Sequence, residues 1–537
     1  MQSEDRTYAK RATRIKSKIY SNGTTYLSPT ARGAANMLVR IEAQSPFLYQ
    51  TPTGAVVSES CCDSAPPPGV SATVYSADGT PTGTAFRELE GGSGSLSDAY
   101  VVKYSDAGAA VWAARIIGIN GADVLSVRAD AAGNCYVAGI YHSTLVSFYN
   151  ATVPDVLTKT LSGSGNDIFI AKYTSVGEPV WVARIADIGN GVAVVDIACT
   201  ADGDVFVSGL YKSASIKLYS AGASSSSMTL PNTSDSTGFL AKFNTTGIYQ
   251  WVVSLGLTVV DKNTSCEGLV VSSDNTSVYV TGSYSADLTF GTTGASIAPL
   301  VKSGASVSNG YIAKYSTSGV PQWAARIAGD TATTSESGIT ITESSGDVYV
   351  GGYYTGMSAT VYSSGIGSSV TLPGITNGSC MFLAKYNSSG VVQWATHMDS
   401  FASPIPGIPS SNLNGLSVVG STVYATGLFL LPSLTVYSTG ILPPFPIIKT
   451  TTNIADAFVV AYSTAGVAQW CNTLTKTSTD ITNVNYGYGI AGTTAVGSYL
   501  SRPLVIGGLT SNKELTNSGI ADSVSYTHLT LPTKRIV

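Results

Sequence analysis

Five lysines recur at one place in a repeating stretch of this 537-residue chain: Lys103, Lys172, Lys242, Lys314 and Lys385. Arranged around a closed assembly they would form an anion-accepting ring, because aligned positive charge raises the local concentration of anions. In the competing reading each stem packs along a strand end while its ammonium group stays in water. The sixth counterpart is Ala461, which interrupts the ring and favours the second reading. The acidic turn residues Asp130, Asp202, Asp204 and Asp347 could offer oxygen ligands to Ca²⁺. Each copy supplies only one or two carboxylates, however, and turn-forming Asx chemistry explains them more simply. Apart from His528 the chain holds two histidines, His142 and His397, and neither sits at a repeated position. His397 falls three residues after Trp394, where other copies carry Arg115, Arg184 and Arg326, so it reads as a substituted surface residue rather than a base. The seven cysteines (Cys61, Cys62, Cys135, Cys199, Cys266, Cys380, Cys471) have no zinc spacing and no disulfide pattern. No catalytic residue, cofactor site or metal site is expected.

The elements that hold these residues are legible from the tryptophans. Trp112, Trp181, Trp251, Trp323, Trp394 and Trp470 fall once per period of about 70 residues, the signature of a repeat architecture. Each lies in the same context, as in DIFIAKYTSVGEPVWVARI (167–185) and YIAKYSTSGVPQWAARI (311–327). Two apolar runs flank a four-residue joint that opens with Ser, Thr or Asn and closes with Gly, as from Thr174 to Gly177, which predicts a tight hairpin. A second hairpin follows in each period, leading into CYVAGIY, VFVSGLY, VYVTGSY, VYVGGYY and VYATGLF. The late glycine in these strands (Gly139, Gly209, Gly282, Gly352, Gly427) predicts a bulge or a close backbone approach. No window sustains a 3.6-residue period, so almost no helix is expected. Four antiparallel strands per period predict an all-β β-propeller of four-stranded blades, six full repeats plus a partial seventh. Each tryptophan should then pack between adjacent sheets as structural core.

These residues resemble the SBBP-type β-propeller repeat, with a pattern near D-[AI]-F-V-A-K-Y-x-x-x-G-x-x-x-W followed by D-x-x-G-N-V-Y-V-T-G-Y. The resemblance covers about 98–508 in six copies; the sixth carries Ala461 for the strand lysine and has an eroded second half, YGYGIAGTTAVGSYL. It implies a propeller but no particular reaction, and it carries over no fixed catalytic set.

The ends read differently. Residues 1–70 are expected to be a basic, poorly ordered region, with Pro66-Pro67-Pro68-Gly69 as a stiff linker. Residues 71–97 are read as a closing strand and lead-in, since Ser71–Ser76 matches Ser358–Ser363 and could pair into the final blade. Residues 98–523 hold the repeats. The stretch 524–537, beginning VSYTHLTLPT, resembles one frame of a translated sequencing-library adapter and is read as non-native, cutting short a seventh repeat that opens at Ile520-Ala521-Asp522.

Composition sets limits on the function. Charged residues make up 12% and the formal charge is −4, which argues against a nucleic-acid partner for the repeats. No apolar run of membrane-spanning length is present. Low charge and Ser/Thr/Gly richness favour a cell-surface, virion or extracellular setting, although no signal peptide is visible. The expected function is a non-catalytic scaffold for protein partners. The alternatives are a carbohydrate-binding propeller and an accessory module of an enzyme whose catalytic part lies elsewhere.

Overall fold

The computed structural model describes residues 98–476 apart from 106–109, 143, 153–155, 164–165, 188–191, 233–234, 260–261, 303–306, 330–335, 366, 401–410, 431–432, 440–445 and 451–454. It also describes strands at 45–51, 54–60, 71–75, 85–90, 485–491, 494–499, 504–506, 513–515 and 522–526. The basic arm before residue 45, the Pro66–Gly69 linker and the tail beyond 526 lie outside the described residues. Within them every regular element is a strand, and all named strand pairs are antiparallel.

The repeated joint folds as its residues dictate. Asp167–Tyr173 pairs with Pro179–Asp187, setting Lys172 beside Trp181. The Gly177 amide donates to the Thr174 carbonyl at 3.0 Å, and the Glu178 amide donates to the Thr174 hydroxyl at 3.1 Å. Gly177 takes φ +85°, the left-handed conformation that glycine reaches without strain. In the next copy the Asn244 side chain accepts the amides of Thr246 and Ile248 at 3.1 and 2.9 Å. The second hairpin holds the expected bulge. Ala122–Ala129 pairs with Cys135–Tyr141, with a register shift between Val124 and Ser126 opposite Gly139. A Cβ on Gly139 would run into the Asp123 carbonyl, and one on Gly352 into the Ser337 carbonyl.

The sheets depart from the sequence expectation in strand number and in how the chain builds them. One sheet runs, from one edge to the other, through Ala122–Ala129, Cys135–Tyr141, Asp167–Tyr173, Pro179–Asp187, Ser215–Tyr219 and Met228–Pro231. It therefore holds six strands rather than four, arranged as an inner, a middle and an outer hairpin. The chain does not make them in succession. After Tyr141 it adds Leu145–Tyr149 and Leu157–Ser162 to the preceding sheet; after Asp187 it lays Val192–Cys199 and Val205–Tyr211 as the inner hairpin of the following one. Each sheet is thus assembled from pieces of successive periods. The short runs after the second hairpin, such as LVSFY and SIKLY, return to extend the neighbouring sheet. In the middle of the array, Asp347–Tyr362 and Ser369–Tyr386 stay extended across two neighbouring units and join them in one ten-stranded hydrogen-bonded sheet.

Near the N-terminal end, Ser45–Thr51 and Gly54–Ser60 form an antiparallel hairpin, with Leu48 in register with Val57 and Tyr49 with Val56. Gly54–Ser60 then pairs with Ala99–Tyr104, so this hairpin is the inner hairpin of the first sheet. Ser71–Tyr75 pairs with Ala85–Glu90 in a two-stranded sheet. At the other end, Asp522–Tyr526 pairs with Thr494–Tyr499, so strand pairing reaches three residues past 523.

The core lies between sheets. Cys135–Tyr141 and Val205–Tyr211 are buried at all seven positions, on both faces. One apolar cluster joins Trp112 and Val182 to Phe148 and Phe169, and the next joins Trp181 and Ile185 to Phe239 and Phe243. Removing large apolar side chains from water on both faces is the main stabilising term for such strands.

Candidate functional site

The recurring residues meet at the seams between sheets. The indole Nε1 of Trp112 donates to the Ser175 carbonyl at 3.0 Å, inside the turn of the following repeat. Trp181, Trp251, Trp323 and Trp394 do the same to Thr245, Thr317, Ser388 and Thr464 at 3.0, 3.2, 3.0 and 3.0 Å. Each indole lies over the glycine that closes that turn: a Cβ on Gly247 would stand 2.7 Å from Trp181 Cδ2, and one on Gly390 2.7 Å from Trp323 Cδ2. Trp112 and Trp323 also stack on Tyr173 and Tyr386, with centroids 6.2 and 6.3 Å apart. Trp470 packs against Tyr424, with centroids 6.1 Å apart.

The five lysines occupy the same seams. Lys172, Lys242, Lys314 and Lys385 lie over the rings of Tyr136, Phe206, Tyr279 and Tyr349 at 5.1 to 5.6 Å. Lys242 pairs with Asp204 and Lys385 with Asp347, both at 2.7 Å. Lys103 and Lys314 donate to the Ser175 and Ser388 carbonyls at 3.3 Å, the same oxygens that accept the tryptophan N–H. Burial lowers the Lys314 ammonium below its ordinary range, with Asp274 and Glu343 opposing. Burial acts the same way on Lys385, but its hydrogen bond to Asp347 and the neighbouring Tyr349 carry it above that range. At these positions the charges are engaged by carboxylates, ring faces and carbonyls within the seam.

The acidic turns do not converge. Asp130 accepts the amides of Ala132 and Asn134, the Asn134 side chain and the Tyr136 hydroxyl, all at 2.8–3.0 Å. Thr200 and Ser272 take its place in the following copies, with their hydroxyls accepting the Asp204 and Ser277 amides at 2.9 Å. Among the described residues no three His, Cys, Asp or Glu side chains gather in a metal-binding group.

Both histidines contact acids. His142 lies between Asn166 Oδ1 at 2.7 Å and Asp123 Oδ2 at 3.2 Å. His397 stacks on Tyr437 at 4.2 Å, where Arg115, Arg184 and Arg326 stack on Tyr149, Tyr219 and Tyr362 at 4.0–4.3 Å in other copies. Beside it, the Cys380 thiol donates to Asp399 at 3.3 Å, and His397 Nε2 stands 3.7 Å from the same oxygen. Burial, reinforced by Asp399, pushes the thiol up to about 12, and burial pushes the imidazole down. A protonated thiol beside a neutral imidazole is not an activated nucleophile.

Sequence reasoning missed a polar cluster on the innermost strands. The buried Asp196 accepts the Ser126 hydroxyl at 2.7 Å, its neighbour's Ile197 amide at 2.9 Å and the Leu269 amide at 3.0 Å, and it pairs with Arg128 at 3.0 Å. One carboxylate thereby ties the innermost strands of three successive sheets. Its counterparts do not repeat, so the period gives no signal for it. Farther along, burial raises the Glu267 carboxyl to about 7, opposed by the Ser265 hydroxyl.

The residues that vary between copies lie outside the seams. Val111, Val176, Val180 and Ile248 are exposed by 49, 66, 43 and 49% around the hairpin turns of the first three copies. At the position before the tryptophan, the valines of the first two copies give way to Gln250, Gln322, Gln393 and Gln469.

No family model matches the chain. An uncharacterized WD repeat-containing protein of Acanthamoeba polyphaga mimivirus is 30% identical over 169 residues. The match covers 29% of this chain and 11% of that protein, so the chain spans about a tenth of that relative's length. Among solved structures, the extracellular domain of a hybrid two-component system from B. thetaiotaomicron covers 73% of this chain at 9% identity, with a TM-score of 0.14, too slight a likeness to bear on the fold. The WD repeat relative and the all-strand sheets fit a repeat protein of propeller type. Among the described residues no helix is long and apolar enough to cross a membrane, which says nothing about β-barrels.

Proposed function

We propose that the chain is a non-catalytic β-propeller scaffold that binds protein partners through the face carrying its hairpin turns. What carries this reading is the division of labour among side chains. The repeated residues (tryptophan, lysine, turn glycine) join sheet to sheet, while exposed positions at the turns, such as those of Val176 and Thr246, change between copies. A rigid frame displaying variable side chains is how repeat architectures present binding surfaces.

We read the repeats, 98–523, as SBBP-type, the six tryptophans as seam core and the five lysines as seam contacts rather than an anion ring; 524–537 is read as foreign. We further read the array as a closed ring of seven sheets. In support, the innermost strands contact one another in succession from Ala122–Ala129 through Val192–Cys199, Gly268–Val271, Glu336–Ser344 and Asn412–Val419 to Asn485–Ala491. Ser45–Thr51 contacts both Ala122–Ala129 and Asn485–Ala491, the two ends of that series. Closure would remove exposed sheet edges from the centre.

Immobilised parent chain and a Val176→Asp/Val180→Asp variant, each challenged with extract of the source organism, test the binding reading. At least one protein should be recovered by the parent and lost from the variant, with the two melting temperatures within about 2 °C, since exposed substitutions cost little stability. Identical recoveries from both would sink it.

A further inference from the structure

Four copies seat a side chain of the tryptophan strand on the tyrosine that ends the first strand of the outer hairpin. Arg115, Arg184 and Arg326 stand 4.2, 4.0 and 4.3 Å from the rings of Tyr149, Tyr219 and Tyr362, and a guanidinium keeps its charge throughout the physiological range. In the fifth copy the place is taken by His397, whose ring lies 4.2 Å from that of Tyr437 with 13° between their planes. The neighbouring strand changes with it. Asp167, 3.5 Å from Arg184, sits opposite Tyr141, and the residue opposite the corresponding Tyr354 is Cys380. One copy thus exchanges a fixed ion pair for a thiol and an imidazole, and carries an acid, Asp399, on the imidazole's own strand.

The surroundings decide which way a proton acts. Around the imidazole gather Cys380, Tyr354 and Tyr437 from the neighbouring strands and Asp399 from its own, and Asp399 is the charge that acts on it. Asp399 already accepts the Cys380 thiol at 3.3 Å and stands 3.7 Å from His397 Nε2, beyond hydrogen-bond reach. The arginines are better served: Arg184 donates to the Ser162 carbonyl at 2.7 Å and Arg326 to the Val301 carbonyl at 3.4 Å. The His397 side chain is only 12% exposed, and burial outweighs the carboxylate, holding the imidazole below its ordinary 6.5. The folded chain therefore takes up this proton less readily than the unfolded chain. The stability involved is present above pH 6.5 and is lost as pH falls through the folded value. The same residues root the outer hairpin, for the His397 carbonyl accepts the Tyr437 amide at 3.2 Å and the Thr396 hydroxyl donates to the Tyr437 carbonyl at 2.7 Å.

We propose that His397 and Tyr437 form an acid-sensitive latch on the outer hairpin of the fifth copy, Ser433–Val436 with Ile447–Thr450, closed while the imidazole is neutral and loosened when it is protonated. Outer hairpins seated by arginine lack this response.

Hydrogen exchange of the full chain, read by mass spectrometry at about pH 5 and about pH 7.5, spans the range in which an imidazole titrates. After correction for intrinsic rates, Ser433–Val436 and Ile447–Thr450 should lose protection several-fold at the lower pH. Leu145–Tyr149 and Ser215–Tyr219, seated by Arg115 and Arg184, should keep theirs. His397→Arg restores the side chain of the other copies, and His397→Phe keeps a stacked ring that takes no proton. Each should abolish the difference, and either one that folds is sufficient. Equal protection of the fifth outer hairpin at both pH values in the parent, or a loss that persists in the variants, would overturn the proposal.

Discussion

Gly247 and Gly222 both have positive φ, +77° and +73°, but their surroundings differ. A methyl group on Gly222 would meet nothing within 4 Å. On Gly247 it would stand 2.7 Å from Trp181 Cδ2, 2.8 Å from Trp181 Cε3 and 2.8 Å from Ala221 Cβ. Holding alanine in the left-handed region costs about 1–2 kcal/mol, and Gly222→Ala should lose only that. In Gly247→Ala the indole must also retreat. It cannot do so without stretching its 3.0 Å bond to the Thr245 carbonyl and leaving the cluster it shares with Val205 and Phe243. Overpacking adds about 1–3 kcal/mol and the strained hydrogen bond about 1, so the variant should lose about 3–6 kcal/mol in all. The difference between the two variants, at least about 2 kcal/mol, is roughly a 30-fold or larger change in the folding equilibrium. Urea unfolding followed by circular dichroism and tryptophan emission measures both, with unchanged slopes expected. Equal losses within about 0.5 kcal/mol would refute the seam as described here.

Two further perturbations address the innermost strands. The Glu267 carboxyl is raised from 4.5 to about 7. The native state therefore holds its proton more tightly, and stability falls as pH rises from about 4.5 through 7. That displacement amounts to about 3 kcal/mol, and because the residue is only half-buried about 2 is expected. Glu267→Gln should be more stable than the parent by this amount at pH 8 and indistinguishable from it at pH 4; parallel stability–pH curves would refute the assignment. Asp196→Ala removes the carboxylate that pairs with Arg128 and accepts the Leu269 and Ile197 amides, and should cost about 3–5 kcal/mol in urea unfolding. Adding Arg128→Ala should recover part of that loss, and additive losses would contradict the coupling.

What could be read from the sequence was what repeats. The turn glycines, the bulge opposite Gly139 and the seam position of Trp112 follow from residues that recur at fixed offsets, because each copy solves the same local steric problem. Strand order did not follow. LVSFY looks like the last strand of its own period, yet it pairs with Ala110–Gly118 in the sheet begun one step earlier, a choice made by long-range packing. Asp196 was invisible for a related reason. The positions around it hold Ser126 in one sheet and a bare Leu269 amide in the next, so its partners recur in space without recurring in sequence. FLY and AVV in close succession are a strand signal in themselves, and they lie in the hairpin at 45–60.

The interleaved path explains why the seams are so uniform. One period contributes a middle hairpin to one sheet, an inner hairpin to the next and an outer hairpin back to the first, so no stretch of 70 residues completes a sheet alone. The chain therefore crosses every seam covalently, and the tryptophan bridge fixes the neighbour's turn at the point where the next middle hairpin reverses. In a solenoid whose repeats each form a complete unit, a weak interface can open without disturbing the units. Here opening a seam pulls on strands of both sheets at once, and separating them strips their apolar faces together.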